Sequence, residues 1–435
     1  MKHNMLDAHL WDNMHYLFRS LNDRMIHASF CYDFRLDAEI LKHTFEYIFQ
    51  EIPVLHASFN GEFFRSYWSV APYQIDQVLT FKEIDDADLE QSQDDFLCGY
   101  IEPDAPIQML VTVFYHGGKS TICILVNHMC MDGGSLKYFL SAMCKIYNNI
   151  ASGAPEGEIK MGNRSHMAVY ECLSPDARKA ALRLFKNINT KDDDFFPLAP
   201  STPEDHTMLI RRKLPSGMLR QLHEVAQKRK ATMNDLLLAA YFHSLYEIAE
   251  FSDNRKISIS CAIDLRRHLK GEALKSITNH TSWMQCEVQQ KGARISDTLD
   301  SAKQSADNFK SDPYMGLHGF PLISLIFRIF PHAVAEKLIF TVYSNPPCAL
   351  SNIGRIDIHT LNLQGHEPID GFITGAVKYK PYILLSMSTL GDDMTLAICT
   401  RGNDKDREII NHFFDVYIQN LKTLIAEIEE TPSNS

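Results

Sequence analysis

The stretch Thr121-Ile122-Cys123-Ile124-Leu125-Val126-Asn127-His128-Met129-Cys130-Met131-Asp132-Gly133-Gly134-Ser135 carries the reading of the fold. Thr121 to Val126 is apolar and rich in β-branched residues, so it reads as a strand; a histidine ends it, an aspartate follows four positions later, and two glycines lead the chain away. Upstream, Val111 to Tyr115 is a second run of the same kind, and His116-Gly117-Gly118-Lys119 between the two holds the glycines that a tight hairpin needs. Downstream, Leu136, Phe139, Leu140, Met143, Ile146 and Tyr147 recur at helical spacing, with Ser135 placed to cap that helix. His128 therefore falls on a short strand-to-helix connection anchored on both sides. Gly133 and Gly134 permit a positive φ there, or the close approach of another group to the main chain. A lone histidine at a strand end is more often a satisfied structural residue. The aspartate and the glycines set this one apart, and an imidazole held at the mouth of a core suits a general base.

Length and composition bound the alternatives. A chain of 435 residues exceeds one ordinary core and implies two domains or a pseudo-symmetric pair. Its 45% hydrophobic and 22% charged content is that of a soluble globular protein. A net charge of -11 without a cluster of Lys and Arg argues against nucleic acid, whose phosphates demand one. The ten cysteines are scattered, with no C-x-x-C, so neither a zinc ribbon nor a disulfide framework is indicated; free thiols in a reducing cytoplasm are expected. The segment from Met1 to Asp7 lacks a signal-peptide core. Pro321 to Phe340 is the most apolar stretch, but Arg328, Pro331, His332, Glu336 and Lys337 interrupt it well short of the run of about 20 residues that a membrane span needs. A buried pair of helices is expected there.

The chain divides into two halves. Leu36 to Phe49 repeats at helical spacing, and Ile52 to Phe59 then turns into an extended segment. Between Lys191 and His206 periodicity fails amid aspartates and prolines, which marks a solvated connection. The expected division is 1–190, a linker over 191–206, and 207–435. In the second half, Met208 to Lys213 reads as a strand, Ser216 to Lys230 and Thr232 to Glu250 as helices, and Lys256 to Ile263 as a buried strand; Thr232 and Asp235 form a capping pair. Two chemistries find no support. A His-Asp pair four apart would need a helix to bind metal from one face, and the glycines and preceding strand argue against one; no serine sits in a G-x-S-x-G elbow for a catalytic triad.

The pattern His128-x-x-x-Asp132-Gly133 resembles the H-x-x-x-D-G signature of the coenzyme A-dependent acyltransferase superfamily, which includes chloramphenicol acetyltransferase, alcohol acyltransferases, polyketide-associated acyltransferases and peptide-synthetase condensation domains. Three further stretches match in order: Ala231 to Ala240, Ile263-Asp264-Leu265-Arg266-Arg267, and Leu350-Ser351-Asn352-Ile353-Gly354. The resemblance thus spans essentially the whole chain. It implies an α/β, chloramphenicol acetyltransferase-like fold: two pseudo-symmetric subdomains with mixed sheets and a channel between them. It also implies an enzyme that moves an acyl group from acyl-coenzyme A or an acyl carrier protein to a small-molecule alcohol, with His128 as general base and no tightly bound cofactor or metal. Amide formation on an amine acceptor and a non-catalytic carrier-binding module are the alternatives. Asp132 is then a structural residue whose partner is Arg266, with Arg267 as the fallback, since Arg offers a carboxylate bidentate geometry.

Oxyanion donors are expected from amides near Gly133 and from Ser351 or Asn352, although Ser351 to Gly354 equally reads as a turn. Pro321 to Phe340 becomes a candidate channel wall. Arg211, Arg212 and Lys213 form the densest basic cluster of the second half and are the candidate site for coenzyme A phosphates, against the reading of a solvated strand edge. Many members of the superfamily carry a histidine directly before the catalytic one, where this chain has Asn127. That departure leaves open a relative that binds thioesters without turning them over.

Overall fold

A computed structural model describes residues 5–61, 65–182, 196–342 and 347–429. Two mixed sheets, each with its own hydrophobic core and covering helices, stand on either side of a central cavity. The first sheet runs in the order Asp370–Thr374, Met25–Tyr32, Lys119–Asn127, Met109–His116, Leu79–Glu83. Gly117 and Gly118 both take positive φ, 51° and 79°, as a two-residue type I′ hairpin requires, and set His116 opposite Lys119. The unbroken apolar run of Lys119–Asn127 makes it the middle strand, hydrogen-bonded on both edges and buried on both faces beyond Lys119.

Helix Gly133–Ala151 follows and packs into the first core. Its N-cap is Asp132 rather than Ser135: the Asp132 carboxylate accepts the Ser135 N–H at 2.8 Å, because the helix already begins at the glycines. Neither glycine adopts a positive φ. Gly134 is needed for another reason, since a Cβ there would collide with the Arg266 guanidinium.

The second sheet runs Thr281–Val288, Ile257–Asp264, Cys348–Ile356, Ile383–Leu390, Asp393–Gly402, with Lys378–Tyr379 and His206–Lys213 also pairing with Asp393–Gly402. Helices Met218–Lys228, Met233–Ile248, Ile295–Lys310 and Asp404–Glu429 bury their apolar faces in this core. The capping pair forms as expected: Thr232 N donates to Asp235 at 2.7 Å, and Asp235 N donates to the Thr232 hydroxyl at 3.3 Å. Ser351 to Gly354 is no turn between elements. It lies inside strand Cys348–Ile356, where the register shifts between Asn352 and Gly354 and Gly354 takes φ 81°.

Three further features refine the sequence reading. The halves are not separate in space: Asp370–Thr374, from the second half, adds to the first sheet antiparallel to Met25–Tyr32. Of the expected linker, 191–195 lie outside the described residues, Phe196 is buried in the second core and Ala199 N donates to Asp406 at 2.8 Å, while Pro200 to Glu204 are exposed. Pro321 to Phe340 does form a helix pair, Phe320–Ile329 and His332–Val342, but not a buried one. Phe320, Ala335 and Ile339 face inward, whereas Leu325 is 48% and Ile329 55% exposed, because the neighbours, among them helix Leu10–Leu17, Tyr170, Leu265 and Leu317, cover only one stripe of a largely apolar sequence.

Candidate active site

The site begins where the middle strand of the first sheet ends. His128 N donates to Arg24 O at 2.7 Å, which holds the backbone as the strand gives way to the turn before Asp132. The imidazole faces a cavity of about 180 Å³ whose lining comes from both halves: His15, Gly133, Asp264, Arg266, Ser351, Asn352 and Lys378 among others.

Asn279, from the connection into strand Thr281–Val288, fixes which nitrogen of His128 is free. Its side-chain amide donates to His128 O at 2.8 Å and to Met129 O at 3.3 Å, so its oxygen must be the atom 2.9 Å from His128 Nδ1. An amide oxygen only accepts; Nδ1 therefore carries the proton, and Nε2 keeps its lone pair. Burial pushes the His128 pKa below the ordinary histidine value, outweighing hydrogen bonds and the nearby Asp132 charge. His15, on Leu10–Leu17, stacks on the His128 ring at 4.2 Å between centroids, and burial and the neighbouring His128 hold its own pKa well below the usual value. The pair is neutral at neutral pH.

Asp132 turns away from the cavity. Arg266 grips its carboxylate with two nitrogens at 3.0 and 2.7 Å, and Ser135 N, His280 N and the Thr281 hydroxyl complete its shell at 2.8, 2.6 and 3.0 Å. Burial alone would raise its pKa, but the Arg266 charge and these donors hold it well below the carboxylate range. Arg267 instead donates to Met315 O at 3.0 Å. Asn127 is also turned inward: its side chain donates to Gln108 at 2.7 Å and accepts the Met129 N–H at 3.0 Å. Of the two expected oxyanion residues, Asn352 is committed, donating to Asn234 at 2.6 Å and accepting from Gly354 N at 2.9 Å. The Ser351 side chain lines the cavity and makes no hydrogen bond among the described residues.

The basic cluster lies apart from this cavity. Arg211 pairs with Asp94 at 2.6 Å, Arg212 with Asp415 at 2.7 Å and Lys213 with Asp370 at 2.7 Å; all three lie on the edge strand His206–Lys213, and none lines the cavity. Three cations do line it: Lys137, which donates to Ile353 O at 2.8 Å, Arg266, held by Asp132, and Lys378, whose pKa burial lowers to about 8 against the opposing Asp23 charge. No group of His, Cys, Asp and Glu suited to a metal occurs among the described residues. His15, Asn279 and Lys378 escaped sequence reasoning, because each reaches the site from a distant segment and none carries a spacing signal.

Residues 24–318 match the family model for the condensation domain. The chain belongs to the condensation domain family. Solved condensation-type structures share its whole fold at low identity. The first condensation domain of the calcium-dependent antibiotic synthetase, bound to a substrate analogue, aligns with a TM-score of 0.71 at 11% identity over 99% of both chains. Polyketide synthase associated protein 5 from Mycobacterium tuberculosis gives 0.67 at 12% over 97% of this chain and 99% of that one. The starter condensation domain of rhizomide synthetase, in complex with C8-CoA, gives 0.65 at 11% over 98% and 96%. No curated protein matches by sequence. This condensation domain thus has the fold of the coenzyme A-dependent, chloramphenicol acetyltransferase-like superfamily. Among the described residues it has no helix long and apolar enough to cross a membrane.

Proposed function

We propose that this condensation domain transfers an acyl group from a thioester, carried by coenzyme A or a carrier protein, to an alcohol. The observation that carries the reading is the Asn279–His128 contact, which leaves Nε2 of this cavity-lining imidazole unprotonated. Nε2 takes the hydroxyl proton as the oxygen attacks the thioester carbon; the C–S bond of the tetrahedral intermediate then breaks, and the same proton passes to the departing sulfur. Such a base contributes about 10²–10⁴-fold. The free hydroxyl of Ser351 is the candidate donor to the oxyanion, a contribution of roughly 3–4 kcal/mol when the donor is well placed. Asp132 and Arg266 take no part in proton transfer and hold the wall in shape.

An amine acceptor is the second reading, since the solved relatives include synthetase condensation domains. Lys378 favours the alcohol: a cation lining the cavity repels an incoming ammonium and is indifferent to a hydroxyl. A second hollow, lined by Arg220, His223 and Arg355 together with Asp392 and Asp393 and sharing Asn352 with the first, is a candidate donor entrance beside Arg211, Arg212 and Lys213. The test is thiol release from acyl-coenzyme A of graded chain length, with pooled alcohols and amines. Release that His128→Ala lowers by about 10²–10⁴-fold supports the enzyme. Thioester binding without release, in wild type and variant alike, would leave a binding module.

A further inference from the structure

The helix pair Phe320–Ile329 and His332–Val342 lies immediately beyond the residues matched by the family model and presents an apolar face that the fold leaves uncovered. Leu322, Leu325, Ile329, Phe330, Leu338 and Phe340 are all exposed on it. A monomer seldom shows so many large apolar side chains in one place unless something covers them. The charges on this face are as selective as its apolar residues. Arg328 and Lys337 are exposed, while Glu336, the single acid from Phe320 to Val342, is part-buried and ion-paired to Arg19 at 3.2 Å. On a chain of net charge -11 this is a locally cationic, apolar surface.

We infer that this helix pair docks on an anionic lipid surface. Exposed Leu, Ile and Phe side chains would enter the boundary between headgroups and acyl chains, and Arg328 and Lys337 would reach up to lipid phosphates. The negative remainder of the molecule is repelled by the same surface, which leaves this face as the favourable orientation. Beneath it lies the cavity wall: Phe320 meets Trp11 edge-on at 4.8 Å between ring centroids and Phe340 meets Phe18 at 6.1 Å, and Trp11 and Phe18 both line the cavity. Docking therefore sets the membrane against the apolar side of the reaction chamber. The inference does not depend on acyl transfer.

The experiment is co-sedimentation of the full chain with vesicles of equal phosphatidylcholine and phosphatidylglycerol, and with vesicles of phosphatidylcholine alone. The wild type binds the anionic vesicles and is released by salt. Leu325→Glu/Ile329→Glu/Leu338→Glu lowers partitioning at least roughly tenfold, since each lost Leu or Ile forfeits part of its burial. Arg328→Gln/Lys337→Gln weakens binding to the anionic vesicles and removes its salt dependence. Because the replaced side chains are exposed, both variants keep the wild-type melting temperature, which separates lost docking from lost fold. Failure of the wild type to bind either vesicle overturns the proposal, as does undiminished binding by the triple-Glu variant. A dimer of the wild type that this variant abolishes, with no vesicle binding, assigns the face to a second copy and overturns it too. If neither Gln substitution alters binding, the anionic selectivity is wrong.

Discussion

Replacing Asn279 by leucine removes the acceptor for His128 Nδ1–H and lets the imidazole protonate on either nitrogen. We expect kcat to fall by about 10²-fold, the low end of what a placed base supplies. Asn279→Asp is the informative partner: it keeps an acceptor for Nδ1–H and adds a charge that stabilises the imidazolium, but it loses the two donations to the His128 and Met129 carbonyls, so activity should return in part, with a pH profile displaced upward. In the wild type the base works only when unprotonated, and burial holds its pKa below the ordinary value of about 6.5. Activity should thus be flat through neutrality and fall as pH drops below 6.5. A profile still climbing above pH ~7 would assign the base to another group. Lys378→Met should narrow the preference for alcohols over amines, read as the ratio of their kcat/KM values; an unchanged ratio would remove the electrostatic basis for choosing the alcohol.

One ion pair joins the start of helix Gly133–Ala151 to the second sheet, because Asp132 caps that helix and Arg266 follows strand Ile257–Asp264. Asp132→Asn or Arg266→Met leaves a buried charge without its partner, at a cost of about 3–5 kcal/mol, and the double variant should lose less than the sum. Additive losses in denaturant unfolding would mean that the pair is not coupled. The sign of the pH effect is fixed: a carboxylate whose folded pKa is depressed adds stability above its unfolded value near 3.9, and this is lost as pH falls. The gap between wild type and Asp132→Asn should therefore close in acid. Elements of this kind were legible in the sequence where the signal was local. The glycine hairpin, the β-branched strand before His128 and the Thr232 capping box were read directly. The cap at Asp132 was misplaced by three residues because Ser135 is an equally good capping type. For Arg211, Arg212 and Lys213, sequence shows a cluster of cations but not the acids that distant segments bring to each of them.

The exchanged strand Asp370–Thr374 should make the molecule unfold as one unit despite its two cores. Trp68 lies in the first core and Trp283 on the second sheet, so variants in which Trp11 and one of these two are replaced report each half separately. Their melting curves should coincide. A first half that melts on its own would show that the strand contributes little. Gly371→Val drives a side chain into Phe30 and the Ser29 carbonyl and should lower both transitions together. Nothing local in the sequence announces this exchange, because an edge strand of five residues reads the same whichever sheet receives it.

The same strand sets the rules for recombining this chain with its relatives. A hybrid joined once, in the connection between the halves, would marry a first sheet from one parent to an edge strand from the other, with the Gly371 contact to Phe30 left to chance. Parental compatibility in both sheets would be retained by three crossovers, so that Asp370–Thr374 travels with the first half while the second-half strands and helices on either side of it change owner. Libraries built to swap acceptor or donor preference should be cut on those lines.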